Sequence, residues 1–293
     1  VVNAYNSFGR RAFMCGALAS VALPVRADTP RIAAIDWAML ETAMALGIVP
    51  VAACELIRFR ADAVTPDLPR SVVDLGLRSA PNFELLQLTR PTLILSSPWY
   101  GYIEPRLSAI APVFSQTFYF ADKDPWQKSI EALHGLAAQL DIPETANQVE
   151  ASAQAELAQM RETLAPFRDR PVYVTQIGDP RHFRAFGADS MFGAVLSLLG
   201  LTNAWDGSTE YSFAAPVPLE RLAPKPDARI IAVSGIPAVA EQGLRNSVLW
   251  NRLEPVAQGR FTTIGNINPF GGLPAGLRFA RLLTNALTQG HAG

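Results

Sequence analysis

A guanidinium on a loop between a strand and a helix is an anion donor, and Arg78 sits on such a loop. Its setting is Val73–Leu86, VDLGLRSAPNFELL. Val72, Val73 and Leu75 read as a short buried strand, and Gly76 lets the chain turn. Asn82 is placed to cap a helix beginning at Phe83-Glu84-Leu85-Leu86. In open α/β folds such loops lie at the carboxyl edge of the sheet, where ligands bind. A permanently charged arginine there can donate to an anionic ligand. Taken alone, these residues also suit a solvated loop arginine.

Other chemistry is sparse. His134 falls in a helical pattern, His182 in the turn Asp179-Pro180-Arg181-His182, and His291 in the tail, none with a second ligand at metal spacing. Bare iron(III) needs a cluster of tyrosines, histidines or carboxylates, which Tyr100 and Tyr102 alone do not make. The sequence holds no G-x-x-x-x-G-K-[ST] loop, no strand-borne G-x-G-x-x-G and no G-x-S-x-G elbow. A Ser-His-Asp triad assembled from distant residues stays open, because its members need not be adjacent.

The elements that must position Arg78 follow from the whole chain. Its 293 residues, 49% hydrophobic, suffice for two domains. A net charge of −1 with no basic run argues against nucleic acid as a partner. Phe8-Gly9-Arg10-Arg11-Ala12-Phe13-Met14 is a twin-arginine pattern, Cys15–Leu23 a short apolar run, and Val25-Arg26-Ala27 a small-residue cleavage site. Residues 1–27 therefore read as an export signal cleaved near Ala27, too short to span a membrane. The expected location is the periplasm.

From Arg31 onward strands and helices alternate, the mark of parallel α/β layers. Strands are expected at Arg31–Ile35, Val49–Cys54, Pro91–Leu95 and Val113–Phe120, with Asp36-Trp37 as a loop. Helices are expected at Met39–Leu46, Arg106–Ile110 and Trp126–Leu140. Pro143–Phe167 breaks the rhythm as one long helix of about 37 Å, suited to joining two lobes. The pattern then restarts with strands at Val172–Ile177, His182–Phe186, Ile230–Val233 and Arg260–Ile264, and helices at Phe192–Leu199 and Leu277–Leu287. The expected fold is α/β: an N-terminal lobe at 28–142, an interlobe helix at 143–168 and a C-terminal lobe at 169–293, with a ligand cleft between the lobes.

Three stretches carry a family resemblance: RIAAIDWAMLETAMALGIVP, SVVDLGLRSAPNFELLQLTRPTLIL, and DPRHFRAFGADSMFGAVLSLLGLTNAW with the later PLERLA. On these, Arg31–Leu287 resembles the periplasmic iron(III)-hydroxamate siderophore-binding proteins of ABC importers, within the siderophore/cobalamin solute-binding family. The resemblance implies a non-enzymatic receptor with little hinge motion. Its cargo would be a ferric hydroxamate siderophore, its partner an ABC permease with a cytoplasmic ATPase. No cofactor is implied, since iron arrives as the chelate, and a monomer is expected.

The resemblance also assigns residues. The family's arginine and tyrosine that hydrogen-bond hydroxamate oxygens fall on Arg78 and Tyr100, and a cleft tryptophan falls on Trp37. Trp99, Tyr211, Phe213 and Phe270 lie at or beside its cleft loops. One acidic residue per lobe docks on the permease in related proteins, here Glu104 and Glu220. The chain departs from the pattern where Asp62, Ser212 and Asn268 replace cleft tryptophans and Pro269 an aromatic. Arg184 stands where an apolar contact is usual, which would suit a carboxylate-bearing cargo such as a citrate-based hydroxamate. Alternatives are the same fold holding haem, cobalamin or a catecholate or citrate siderophore, and, from another class, a secreted hydrolase.

Overall fold

The computed structural model describes residues 1, 30–119, 123–209 and 217–289. Residues 2–27 of the export-signal segment, Tyr211, Ser212, Phe213 and His291 lie outside the described residues. In the first half the elements are β1 (Ile32–Ala34), α1 (Trp37–Ala45), β2 (Ala52–Ala53), α2 (Leu56–Asp62) and β3 (Val73–Asp74). They continue with α3 (Phe83–Leu88), β4 (Leu93–Ser96), a 3-10 turn at Pro98–Ile103, α4 (Glu104–Ser108), β5 (Val113–Ser115) and α5 (Pro125–Gln139). The five strands form one sheet in the order β3-β2-β1-β4-β5, every pair parallel.

Local chemistry sets these boundaries. The Asp36 carboxylate accepts from Met39 N at 3.1 Å, which starts α1 one residue earlier than a loop at Asp36-Trp37 would allow. Gly47, at φ 77°, supplies the left-handed residue that ends it. Asn82 caps α3 through Leu85 N at 2.9 Å. The strand expected to run to Phe120 stops at Ser115.

Helix α6 (Pro143–Thr163) has 21 residues, about 31 Å. It is followed by Leu164 and a 3-10 turn at Ala165–Phe167, so it is shorter than the single helix expected over 143–168. Its face of Ala146, Ala153, Leu157 and Met160 is buried, at helical spacing.

The second half contains β6 (Val172–Ile177), β7 (His182–Ala185), α7 (Met191–Leu198), β8 (Val217–Pro218), a 3-10 turn at Leu219–Leu222 and β9 (Arg229–Val233). It ends with α8 (Ala238–Asn246), α9 (Val248–Arg252), α10 (Glu254–Ala257), β10 (Phe261–Ile264) and α11 (Leu273–Gln289). Its sheet has the order β10-β9-β6-β7-β8, with β10, β9 and β6 parallel and β7 and β8 antiparallel. The protein is thus a mixed α/β structure with two lobes, each containing a parallel sheet region. One apolar core continues across both halves, joining Leu40 of α1, Leu133 of α5, Leu157 of α6, Phe192 of α7 and Phe279 of α11. Among the described residues no helix is long and apolar enough to cross a membrane.

Candidate functional site

Because β1 to β4 are parallel, the loops that leave them emerge at one edge. The strand order reverses between β1 and β4, and such a switch point opens a crevice at the carboxyl ends. Asp36 follows β1 and Ser97 follows β4 there, and the Ser97 hydroxyl donates to Asp36 Oδ2 at 2.9 Å. Burial raises the Asp36 carboxyl above its ordinary value, against the pull of the Met39 and Ser97 hydrogen bonds and of Arg78.

Arg78 follows β3. Its Nε donates to Glu55 Oε2 at 3.1 Å, and its backbone N donates to Glu55 Oε1, also at 3.1 Å. The guanidinium carbon lies 4.1 Å from the centre of the Trp37 ring. The two charged side chains are only 20% and 14% exposed, so Arg78 is no solvated loop arginine. Among the described residues the Arg78 Nη groups donate to nothing. A fork held at Nε and stacked on an indole keeps both Nη groups for a ligand, with little rotamer entropy left to lose.

The supports are themselves fixed. Trp37 is 5% exposed, and its Nε1 donates to Cys54 O at 3.0 Å. Its edge meets Phe59 of α2 at 5.4 Å. Trp37 is therefore a buried platform beneath Arg78 rather than an open cleft wall. Glu55 takes φ 53° and begins α2, and its backbone N donates to Gly76 O at 2.8 Å. Asp74 caps the same helix through Leu56 N and closes the Gly76 turn through Gly76 N.

Tyr100 lies half-buried in the 3-10 turn after β4. Burial pushes its phenol well above the usual tyrosine range, with Arg78 pulling the other way. It remains a neutral O–H donor at any physiological pH. Trp99 is 57% exposed on the same turn. Tyr102 ties this turn to the Arg78 loop, its hydroxyl donating to Ser79 O at 2.9 Å.

Arg184 and Phe270 form a second group, on the other half of the molecule. The Arg184 guanidinium lies over the Phe270 ring at 5.4 Å, and burial penalises its charge. The ring of Tyr119, from the first half, meets Phe270 edge-on at 5.6 Å. This places Phe270 and Arg184 at the seam between the halves. Among the described residues no group of three or more His, Cys, Asp or Glu could hold a metal ion.

Residues 32–267 match the family model described as periplasmic binding protein. The chain belongs to that family. Among curated proteins it is 32% identical, over 261 residues, to the iron(3+)-hydroxamate-binding protein FhuD of Escherichia coli (strain K12), covering 89% of this chain and 88% of that one. Among solved structures it resembles the Fe3+–Desferal-bound siderophore-binding protein FhuD from Vibrio cholerae. The TM-score is 0.82 at 24% identity, over 88% of this chain and 97% of that one. It also resembles the petrobactin-binding protein YclQ from Bacillus subtilis, with a TM-score of 0.71 at 16% identity, over 88% and 91% of the two chains.

In this periplasmic binding protein the structure brings Arg78, Tyr100 and Trp37 together and sets Arg184 with Phe270. Glu104 opens α4, and Glu220 is exposed on the 3-10 turn after β8, one acidic residue in each half. Asp62 ends α2 in an ion pair with Arg58 at 3.1 Å. Asn268 corrects an expectation: it is 3% exposed and donates to Glu41 Oε1 at 2.8 Å, so it is a buried tie rather than a polar cleft residue. The residue that sequence reasoning missed is Glu55. Its signal was present, because it lies two residues past strand β2, on the edge that made Arg78 a candidate.

Proposed function

We propose that this chain captures ferric hydroxamate siderophores in the periplasm and delivers them to an ABC permease for iron uptake. The observation that carries the reading is the Arg78 fork, fixed by Glu55 on the Trp37 ring with its Nη groups unused. Hydroxamate oxygens bound to iron(III) keep negative character, and Arg78 with the Tyr100 phenol can donate to them without stripping the metal. A phenol pushed upward by burial suits such a donor better than a phenolate ligand for bare iron or haem. The kinship with the Escherichia coli hydroxamate-binding protein supports the same cargo class.

In this reading iron enters as part of the cargo and the chain performs no covalent chemistry. Glu104 and Glu220 are the proposed permease contacts, one per half. Intrinsic tryptophan fluorescence, titrated with a ferric trihydroxamate, a ferric catecholate, haem and cobalamin, tests the assignment. Quenching by the trihydroxamate supports it. Saturable quenching by haem or cobalamin alone would replace it.

A further inference from the structure

Glu41 is a carboxyl group wholly removed from solvent, at 0% exposure. It lies one helical turn beyond Trp37 on α1, so the two share a face. Its partners come from the opposite end of the chain. Asn268 Nδ2 donates to Oε1 and Gly272 N to Oε2, each at 2.8 Å, and Ala275 N contributes a further bond. Only a glycine fits at 271, since a methyl group there would sit 2.5 Å from Glu41 Oε2.

The same segment is tied to the first half at two other points. Asn266 Nδ2 donates to Ala61 O of α2 at 2.9 Å, and the Tyr119 hydroxyl donates to Gly271 O. Asn268 Oδ1 in turn accepts from Phe270 N at 3.1 Å. A continuous set of contacts therefore runs from Glu41 through Asn268 to Phe270, and on to the Arg184 guanidinium above its ring.

We propose that Glu41 is a proton-dependent clamp between the two halves, a positioning residue that holds the 266–272 segment, and with it Phe270 and Arg184, against the Trp37–Arg78 side of the site. The placement of these side chains around cargo rests on the function proposed above; the clamp itself does not. Three donors facing the carboxyl favour its ionised form, while burial opposes it more strongly. The charge of Asp36, at the start of the same helix, adds to that opposition, and the Tyr119 phenol reaches the adjoining Gly271 rather than the carboxyl. The net result lifts the Glu41 carboxyl from 4.5 to about 8.

The direction of coupling follows. A carboxyl that holds its proton more tightly in the closed seam than in water favours the closed seam when protonated. Opening must therefore become easier as pH rises from 4.5 towards 8, then level off.

The test is amide hydrogen exchange at Gly272 in the ligand-free full chain, corrected for intrinsic exchange. The opening equilibrium should rise between pH 5 and 8, by at most about tenfold per pH unit for one proton. Glu41→Gln, which cannot titrate, should abolish that slope. Asn268→Ala removes one donor to the ionised form and should shift the levelling point upward in pH. No slope in the wild type, the same slope in Glu41→Gln, or an unmoved levelling point in Asn268→Ala would each overturn the clamp. A ferric trihydroxamate titrated in parallel separates the two ideas. Failure to bind would sink the proposed function while the exchange slope still decides the clamp.

Discussion

Arg78 and Glu55 hold each other through two hydrogen bonds, one to the side chain and one to the backbone of the arginine. Glu55 is thus a template for the loop as well as a counter-ion. Glu55→Gln should weaken ferric-trihydroxamate binding although it touches no cargo in this account. Its effect should shrink in an Arg78→Ala background, where the guanidinium it positions is gone and only the hydrogen bond from the backbone N of residue 78 remains. A double-mutant cycle read by fluorescence titration checks this. Additive losses would mean that Glu55 acts independently of Arg78.

Tyr100→Phe removes one neutral donor and should cost about 0.5–1.5 kcal/mol of binding free energy. The visible spectrum of the bound chelate should match that of the free chelate in both proteins, because burial keeps the phenol protonated. A phenolate-to-iron charge-transfer band in the wild type, lost in Tyr100→Phe, would put Tyr100 on the metal instead.

Arg184 stands over Phe270 at the seam, a cation supported by a ring face. Arg184→Ala should reduce affinity for a carboxylate-bearing ferric hydroxamate more than for a neutral one. Equal losses for the two, measured side by side, would remove Arg184 from cargo selection.

The acidic residues proposed for docking come one from each half, Glu104 at the start of α4 and Glu220 on the 3-10 turn after β8. Glu220→Lys should impair siderophore-dependent uptake in cells while leaving cargo affinity in vitro unchanged. Glu104→Lys should do the same from the other half. Uptake at the wild-type rate in both variants would exclude them as permease contacts.

The first half was legible in the sequence because its signals are local. Strand alternation, the Asn82 cap and Gly47 and Gly76 all follow from residue types within a few positions, and each is found in the structure. Short helices such as α2 and α8 to α10 were missed. Helix α2 has a left-handed Glu55 at its start and takes its cap from Asp74, 18 residues away. The site divides in the same way. Arg78 was visible from its loop, but its pairing with Glu55 spans 23 residues and that of Glu41 with Asn268 spans 227. For Asn268 the sequence shows polarity and not the partner, Glu41, that lies 227 residues away. The buried role of Trp37 was hidden for a similar reason. An aromatic at a sheet edge can be wall or platform, and only the guanidinium above it decides which.

A tryptophan-fluorescence titration with a ferric trihydroxamate, on the wild type and on Arg78→Ala, tests whether Arg78 anchors the chelate. The wild type should show saturable quenching. Arg78→Ala should remain folded by circular dichroism and bind more weakly by about 1.5–3 kcal/mol, roughly ten- to 150-fold. Equal affinity in the two proteins would contradict the central claim that Arg78 anchors the chelate.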